Sequence, residues 1–440
     1  MRSPVVAKAA VRRRRAPAAL RESLAVLGGK PVGAVRAPRW PRFTMRSIER
    51  VAQLLAAGET VVIGRRGVVE EAERAIEAFH PGKRVLLLSS GFSALHAALM
   101  GLEIGPGDEV ITTPYTFGAS TSCILHAGAV PVYVDVDPVS GLIDPRRIAA
   151  AITPRTRAIL PVHLYGQPAD MPAIGRIARR HGLAVIEDGS QAHGATIQGQ
   201  PVGQFSDAAG FSCMGGKLLA TSEAGYLLAS KDEVYWRAAL MCQHWGRSDD
   251  PGFPAELRPY ADTLIASYRV SPLAAALFPQ QLAKMPREIE GRRTNARQFR
   301  EAMKGVDWIE MPAHRPGFSS SHHMVTFNYL EERTGVPRAK MLRALQAEGA
   351  PVFVYVREAL PALKRMRWKG YRGPRPFWMD QLRRAKVDYG RAALPGCERK
   401  VARSMEIVWN FYRPDARAME RLAECFHKVG RHLDALRGES

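Results

Sequence analysis

Between Leu183 and Lys217 two short apolar runs each end in chemistry. LAVIED stays apolar until it reaches Glu187 and Asp188, and AAGFS delivers Ser212 and then, through the glycine-rich turn MGGK, Lys217. Runs of this length closed by polar residues read as buried strands, and the paired glycines make the turn a poor helix interior. In an open α/β sheet the carboxyl ends of the strands are where ligands sit. A carboxylate at one such end and an unpaired lysine at the next is what pyridoxal phosphate requires: the lysine forms a Schiff base, and the carboxylate keeps the pyridine nitrogen protonated so that the ring can accept electrons.

The surrounding chain supports such a sheet. SIERVAQLLAAG and VVEEAERAIEAF carry apolar residues at helical spacing. SSGFSALHAALMGLEI opens on a Ser-Gly turn, and a helix capped by Ser89 or Ser90 offers free N–H groups to a phosphate. VITT, VPVYVDVD, RAILPVH and GYLLAS predict further strands; PYTFGASTSCILHAGA, DPRRIAAAIT and DMPAIGRIARRHG predict helices between them. This alternation predicts crossover connections and a mostly parallel sheet. From Val234 to Ala266 the pattern weakens and predicts a long loop. The stretch from Val270 to Met303 is strongly helical, with expected interruptions at Pro279 and Pro286. It leads to HHMVTFNYL and a terminal helix, ARAMERLAECFHKVGRHLDAL, which suggest a smaller α+β unit. The expected organisation is a basic arm over 1–44 without chemistry of its own, a large domain over 45–290 and a small C-terminal domain over 291–440.

With 440 residues, 46% of them apolar, the chain is long enough for a large core and too apolar for general disorder. The cysteines, Cys123, Cys213, Cys242, Cys397 and Cys425, stand apart from one another, which suggests neither a disulfide framework nor a zinc site and favours reduced thiols in the cytoplasm. No run approaches the roughly 18 apolar residues of a membrane helix. The net charge of +21 is concentrated in residues 1–50, where Arg12–Arg15 form an unbroken run, and in residues 357–403. Such charge favours acidic small substrates or non-specific contact with nucleic acid. No interleaved aromatic pattern accompanies it, so specific nucleic-acid binding is not expected.

Longer motifs narrow the reading. PGDEVITTPYTFGAS, HAGAVPVYVDVDP, ILPVHLYGQPADM, EDGSQAHGA and the FS-to-lysine spacing resemble the DegT/DnrJ/EryC1/StrS family of sugar and aminocyclitol aminotransferases, from about Ser47 to Glu290. The resemblance implies a fold-type I transferase, with a seven-stranded, mostly parallel sheet and a smaller C-terminal α+β domain, working as a homodimer with pyridoxal 5'-phosphate. It places Lys217 at the Schiff base and at proton transfer, and Asp188 on the pyridine nitrogen. Gln191 falls near the cofactor ring, Ser212 and the turn Ser90-Gly91-Phe92 at the phosphate, and Phe117 over the ring face. His163 falls near the cofactor and Tyr165 near the substrate. Ser267-Tyr268-Arg269 corresponds to the family's Asn-x-Arg element, which enters the partner subunit's site, so Ser267 and Arg269 are implied cofactor contacts. His244 and Arg357 correspond to positions bordering the substrate.

Two departures stand out: Phe92 replaces a threonine of the phosphate turn, and Ser267 replaces an asparagine. The resemblance implies transfer of an amino group from glutamate or glutamine to a keto-sugar or keto-cyclitol. Two alternatives remain at this stage, namely another reaction of the same cofactor on an amino acid (elimination, decarboxylation or carbon–carbon bond formation), and a non-catalytic regulatory or nucleic-acid-binding protein on the same fold.

Overall fold

A computed structural model describes residues 23–243, 245–391 and 393–438; the Arg12–Arg15 run and His244 lie outside them. Seven strands, β1 (Arg84–Leu88), β2 (Glu109–Thr112), β3 (Val130–Tyr133), β4 (Thr156–Leu160), β5 (Ala184–Asp188), β6 (Ala208–Ser212) and β7 (Gly225–Ala229), form one sheet in the order β1-β7-β6-β5-β4-β2-β3. The pairs from β6 through β3 are parallel, with Asp188 opposite Gly210. β7 runs against both β6 and β1, so the sheet is mixed. The reason lies in residues 213–224, which hold Lys217 and contain no helix: a parallel return needs a crossover, and this connection only doubles back.

Helices α1 (Met45–Ala56), α2 (Gly67–Phe79), α3 (Gly91–Gly101), α4 (Ala119–His126), α5 (Met171–His181) and α6 (Asp232–Cys242) flank the sheet. The last occupies sequence expected to be loop. Val234, Tyr235, Trp236, Ala238, Ala239 and Cys242 are all buried, and the exposed side is narrow, carried by Asp232, Glu233 and Met241 with Arg237 half-buried, so apolar residues dominate and blur the period. DPRRIAAAIT forms two short 3-10 turns rather than an α-helix, the first capped by Asp144, which accepts from Arg146 N–H at 3.0 Å.

Helix α7 (Phe278–Ala302) runs unbroken through both prolines. Pro279 sits in the first turn, where its missing N–H is no loss. Pro286 forfeits one interior bond, and buried Leu282, Met285 and Ile289 hold the helix in place. The helix also crosses residue 290: its C-terminal half contributes Ala296 and Phe299 to the core of the small domain. There β8 (Ile309–Glu310), β9 (Met324–Tyr329), β10 (Val352–Phe353) and β11 (Ser404–Val408) form an antiparallel sheet, in the order β8-β9-β11-β10. Helices α8 (Arg338–Glu348), α9 (Pro395–Arg403) and α10 (Ala416–Arg431) pack with it.

The expected arm over 1–44 is anchored in its described part. Leu24 and Val35 are buried in the small-domain core. The buried carboxylate of Glu348 accepts from the backbone N–H groups of Ala25 (2.7 Å) and Val32 (3.0 Å) and pairs with Lys428 at 2.8 Å. Buried groups of this kind persist because every lone pair finds a donor. Among the described residues no helix is long and apolar enough to cross a membrane.

Candidate active site

The carboxyl ends of β5 and β6, the start of α3 and the loop after β6 converge. Ser90 caps α3 through a box in which its Oγ accepts from Ser93 N–H (3.1 Å) while Ser93 Oγ accepts from Ser90 N–H (2.8 Å). The Ser90 hydroxyl is thereby committed to the cap, and the N–H groups of Gly91 and Phe92 begin the helix as its natural anion donors. Close approach explains the glycines here: a Cβ on Gly91 would lie 2.5 Å from Ser212 Cβ, and one on Gly225 would lie 2.2 Å from the Ser90 carbonyl oxygen. The turn, Ser212 and β7 therefore form a tight cradle.

Asp188 is buried. It accepts from Ser120 Oγ at 2.7 Å and from Ser190 N–H at 3.0 Å. Ser120 opens α4, three residues after Phe117, which is 63% exposed and so free to cover a planar ligand. Burial pushes the Lys217 ammonium below its ordinary value, and the neighbouring charge of Asp188 works against that shift. The Lys217 side chain has no hydrogen-bond partner among the described residues. Its backbone carbonyl is held by the indole N–H of Trp40 at 3.0 Å.

Gln191 is clamped at both ends of its amide: Oε1 accepts from Tyr165 N–H at 2.8 Å and Nε2 donates to Tyr355 Oη at 3.1 Å. Burial, with the Asp188 charge adding, pushes the Tyr355 phenol up to about 12. Tyr355 and Ser120 are the two site residues the sequence reading missed. The signal for Ser120 was a serine in the first turn of a helix after a strand, which by itself points nowhere.

Two further residues expected near the ligand have their polar atoms engaged within the protein. His163 is fully buried, its Nε2 2.8 Å from Glu187 Oε2 and its Nδ1 accepting from Ala169 N–H at 2.9 Å. Both ring nitrogens are engaged, so its polar atoms support the strand end. Tyr165 is also fully buried and donates to Glu406 at 2.9 Å, which ties the two domains together.

Ser267 stands exposed with a positive φ of 49°, and Arg269 is half-buried. Between them the Tyr268 carbonyl accepts from Ser89 N–H at 2.9 Å, and its hydroxyl meets His96 Nδ1 at 2.9 Å. The element thus starts from beside the Ser90-Gly91-Phe92 turn. Arg357 is exposed. The basic stretch beyond it packs Met366, Leu382 and Tyr389 against Leu125 and Val130 at the sheet edge. An aromatic relay links it to the Ser90-Gly91-Phe92 turn, with Phe377 4.7 Å from the His126 ring and His126 4.9 Å from the Phe92 ring.

A mixed seven-stranded sheet with a buried lysine, a carboxylate and an anion cradle at its strand ends, closed by a smaller α+β domain, defines a fold-type I transferase. The chain belongs to the DegT/DnrJ/EryC1/StrS aminotransferase family, whose model matches residues 42–372. An L-glutamine:2-deoxy-scyllo-inosose aminotransferase of Streptomyces fradiae is 32% identical over 93% of this chain and 98% of its own length. GDP-perosamine synthase of Caulobacter vibrioides is 35% identical over 65% of this chain and 76% of its own. The crystal structure of 3-amino-5-hydroxybenzoic acid synthase superposes with a TM-score of 0.75 at 27% identity, over 90% of this chain and all of that one. Members of the family are enzymes that transfer amino groups in biosynthesis, and pyridoxal phosphate is the cofactor associated with its fold.

Proposed function

We propose that this enzyme moves an amino group from glutamine to a keto-cyclitol, with pyridoxal 5'-phosphate held on Lys217. The observation that carries the reading is the pairing of a desolvated lysine with a buried, doubly hydrogen-bonded aspartate above an anion cradle. The residues fit the cofactor: the N–H groups of Gly91 and Phe92 with Ser212 suit a phosphate, Asp188 suits a protonated ring nitrogen, Phe117 suits a ring face and Gln191 a phenolic oxygen. Pyridoxal phosphate, when bound, supplies the electron sink. Lys217, whose ammonium burial pushes below its ordinary value, is placed to take a proton from the donor's α-carbon and to return one during the transfer. Asp188 holds its charge in place before the reaction, so no reorganisation is spent on it.

Ser267 and Arg269 reach the site of a second subunit, where Arg269 adds a cation to the phosphate cradle, which makes the functional unit a homodimer. The cyclitol acceptor is favoured over a nucleotide-linked sugar because the cyclitol relative matches along nearly its whole length, while the nucleotide-sugar relative leaves about a quarter unmatched. The test offers glutamine with a keto-cyclitol, and separately with nucleotide ketosugars, and follows the aminated product by mass spectrometry. Aminated cyclitol is expected. Amination of the nucleotide sugar alone would overturn the acceptor, and a reaction on the amino acid without any aminated acceptor would overturn the transfer itself.

A further inference from the structure

We propose that the cleft between the two domains, on the far side of the His322-His323 peptide from Lys217, binds an amphipathic organic anion at a site separate from the one that transfers the amine. The cleft encloses about 1010 Å³, at the upper end of the range for small-molecule sites. Lys217, Asp188, Ser212 and the Ser90 turn do not line it. Its floor is apolar, with Leu142 and Ile143 from the large domain facing Met311, Phe318 and Met324 from the small one.

The charged groups are unevenly spent. Arg293, Arg297 and Arg300 succeed one another at helical spacing along the wall made by α7. The first two share Glu290, at 4.0 and 3.0 Å. Arg315 is paired with Asp170 at 2.8 Å, and Arg146 with Asp144 at 2.9 Å. The remaining carboxylates of the cleft are occupied: Asp137 accepts from the Val139 and Ser140 N–H groups, and Glu310 from Asn328. Arg300 donates to the Pro312 carbonyl at 2.7 Å and has no carboxylate within 4.0 Å among the described residues. One guanidinium is therefore left without a counter-charge above an apolar floor, the arrangement that takes an anion with a ring-sized apolar body.

His322 adds a neutral donor and acceptor at the same wall. Its backbone is left-handed, with φ 50°, a conformation that costs about 1–3 kcal/mol and persists where surroundings impose it. Its ring has no hydrogen-bond partner among the described residues. Burial, with Arg293 and Arg300 adding, holds the imidazole down to about 3, hence uncharged. The next residue faces the other way: the His323 imidazole is pushed well below its ordinary value by burial and then by Lys217. The peptide between them is packed hard. A Cβ on Gly166 would sit 2.8 Å from His322 N and 2.9 Å from His323 N, and His323 N–H donates to the Tyr165 carbonyl at 3.0 Å. An occupant pressing on His322 thus shares a rigid wall with the amine-transfer site.

The test titrates the full chain with 8-anilinonaphthalene-1-sulfonate, read by its fluorescence, with 1-naphthoate and 1-naphthyl phosphate as competitors. One equivalent per chain is expected, weakened at least fivefold by Arg300→Gln and by Ala313→Trp, which narrows the mouth; both positions are exposed, so folding is not at stake. Binding should weaken as salt rises, survive Lys217→Ala, and be displaced by at least one competitor. Absence of binding, non-saturable binding indifferent to both variants, or loss of the dye in Lys217→Ala or on adding pyridoxal phosphate would each overturn the proposal.

Discussion

The reactive groups owe their state to neighbours that do no chemistry. Asp188 is held by a hydrogen bond from Ser120 Oγ, a donor 68 residues earlier in the chain. A hydrogen bond to a charged group contributes about 1.5–3 kcal/mol, so Ser120→Ala is expected to lower kcat about tenfold or more while shifting Tm by no more than a few degrees. Steady-state kinetics and a melting curve check both. Asp188→Asn should cost about a hundredfold or more, because the fixed charge itself is gone; an unchanged rate of α-proton exchange in that variant would show that the carboxylate serves something else. The placement of Lys217, Asp188 and Ser212 was legible in the sequence because each ends a short strand or its following turn. Ser120 and Tyr355 were not, since only the sheet and the small domain bring them to the site. For His163 and Tyr165 the strand-end position was legible but their partners were not: being at the strand end says nothing of whether Glu187 and Glu406 wait on the other side.

At the scale of elements, the least readable stretch touches the lysine most directly. Residues 23–44 lack periodicity and were expected to carry no chemistry, yet Trp40 donates its indole N–H to the Lys217 carbonyl. Its ring lies 5.5 Å from Tyr412, with the Arg292 guanidinium 4.8 Å from the ring centroid. Arg292 in turn donates to the Trp409 carbonyl and to Asn410 Oδ1. The segment thus ties the lysine loop to α7 and to the small domain. Trp40→Phe keeps an aromatic ring and removes the donor. One hydrogen bond of about 0.5–1.5 kcal/mol should then appear as a twofold to tenfold fall in kcat with KM for glutamine little changed, whereas a purely structural ring would leave the ratio alone. The same kind of blindness explains α6 and α7. A helix whose exposed side is narrow shows only a weak stripe, and a proline inside a helix is a warning that strong packing can override.

For the whole molecule, the proposed shared site and the buried histidines each make a test. If Arg269 reaches the partner, mixing Lys217→Ala with Arg269→Ala subunits should restore activity, because an exchanged dimer holds one site with both lesions and one with neither; confirmed exchange without recovery would refute the arrangement. Stability against acid is the broader consequence. His80 and His193 are buried, and burial pushes each imidazole down to about 3; His96 is likewise pushed down to about 4. These rings stay neutral in the folded chain and take up a proton in the unfolded one below about pH 6.5. The unfolded state therefore binds more protons, and stability must fall as pH falls through that value, by about 1.4 kcal/mol per pH unit for each such histidine. Glu187, whose carboxyl burial would raise but which its hydrogen bond from His163 holds below the ordinary value, adds its own loss only under more acidic conditions, below about pH 4.5. Between about pH 6.5 and 5 the slope belongs to the histidines. His80 sits among the rings of Phe79, Phe211 and Tyr226, at 5.0, 5.7 and 6.3 Å, so His80→Phe replaces it with a group that cannot titrate in surroundings that accept an aromatic. Urea midpoints across that range should fall less steeply in the variant than in the parent, by about 1.4 kcal/mol per unit. Parallel slopes would show that His80 is protonated in the folded chain and contributes nothing to the acid response.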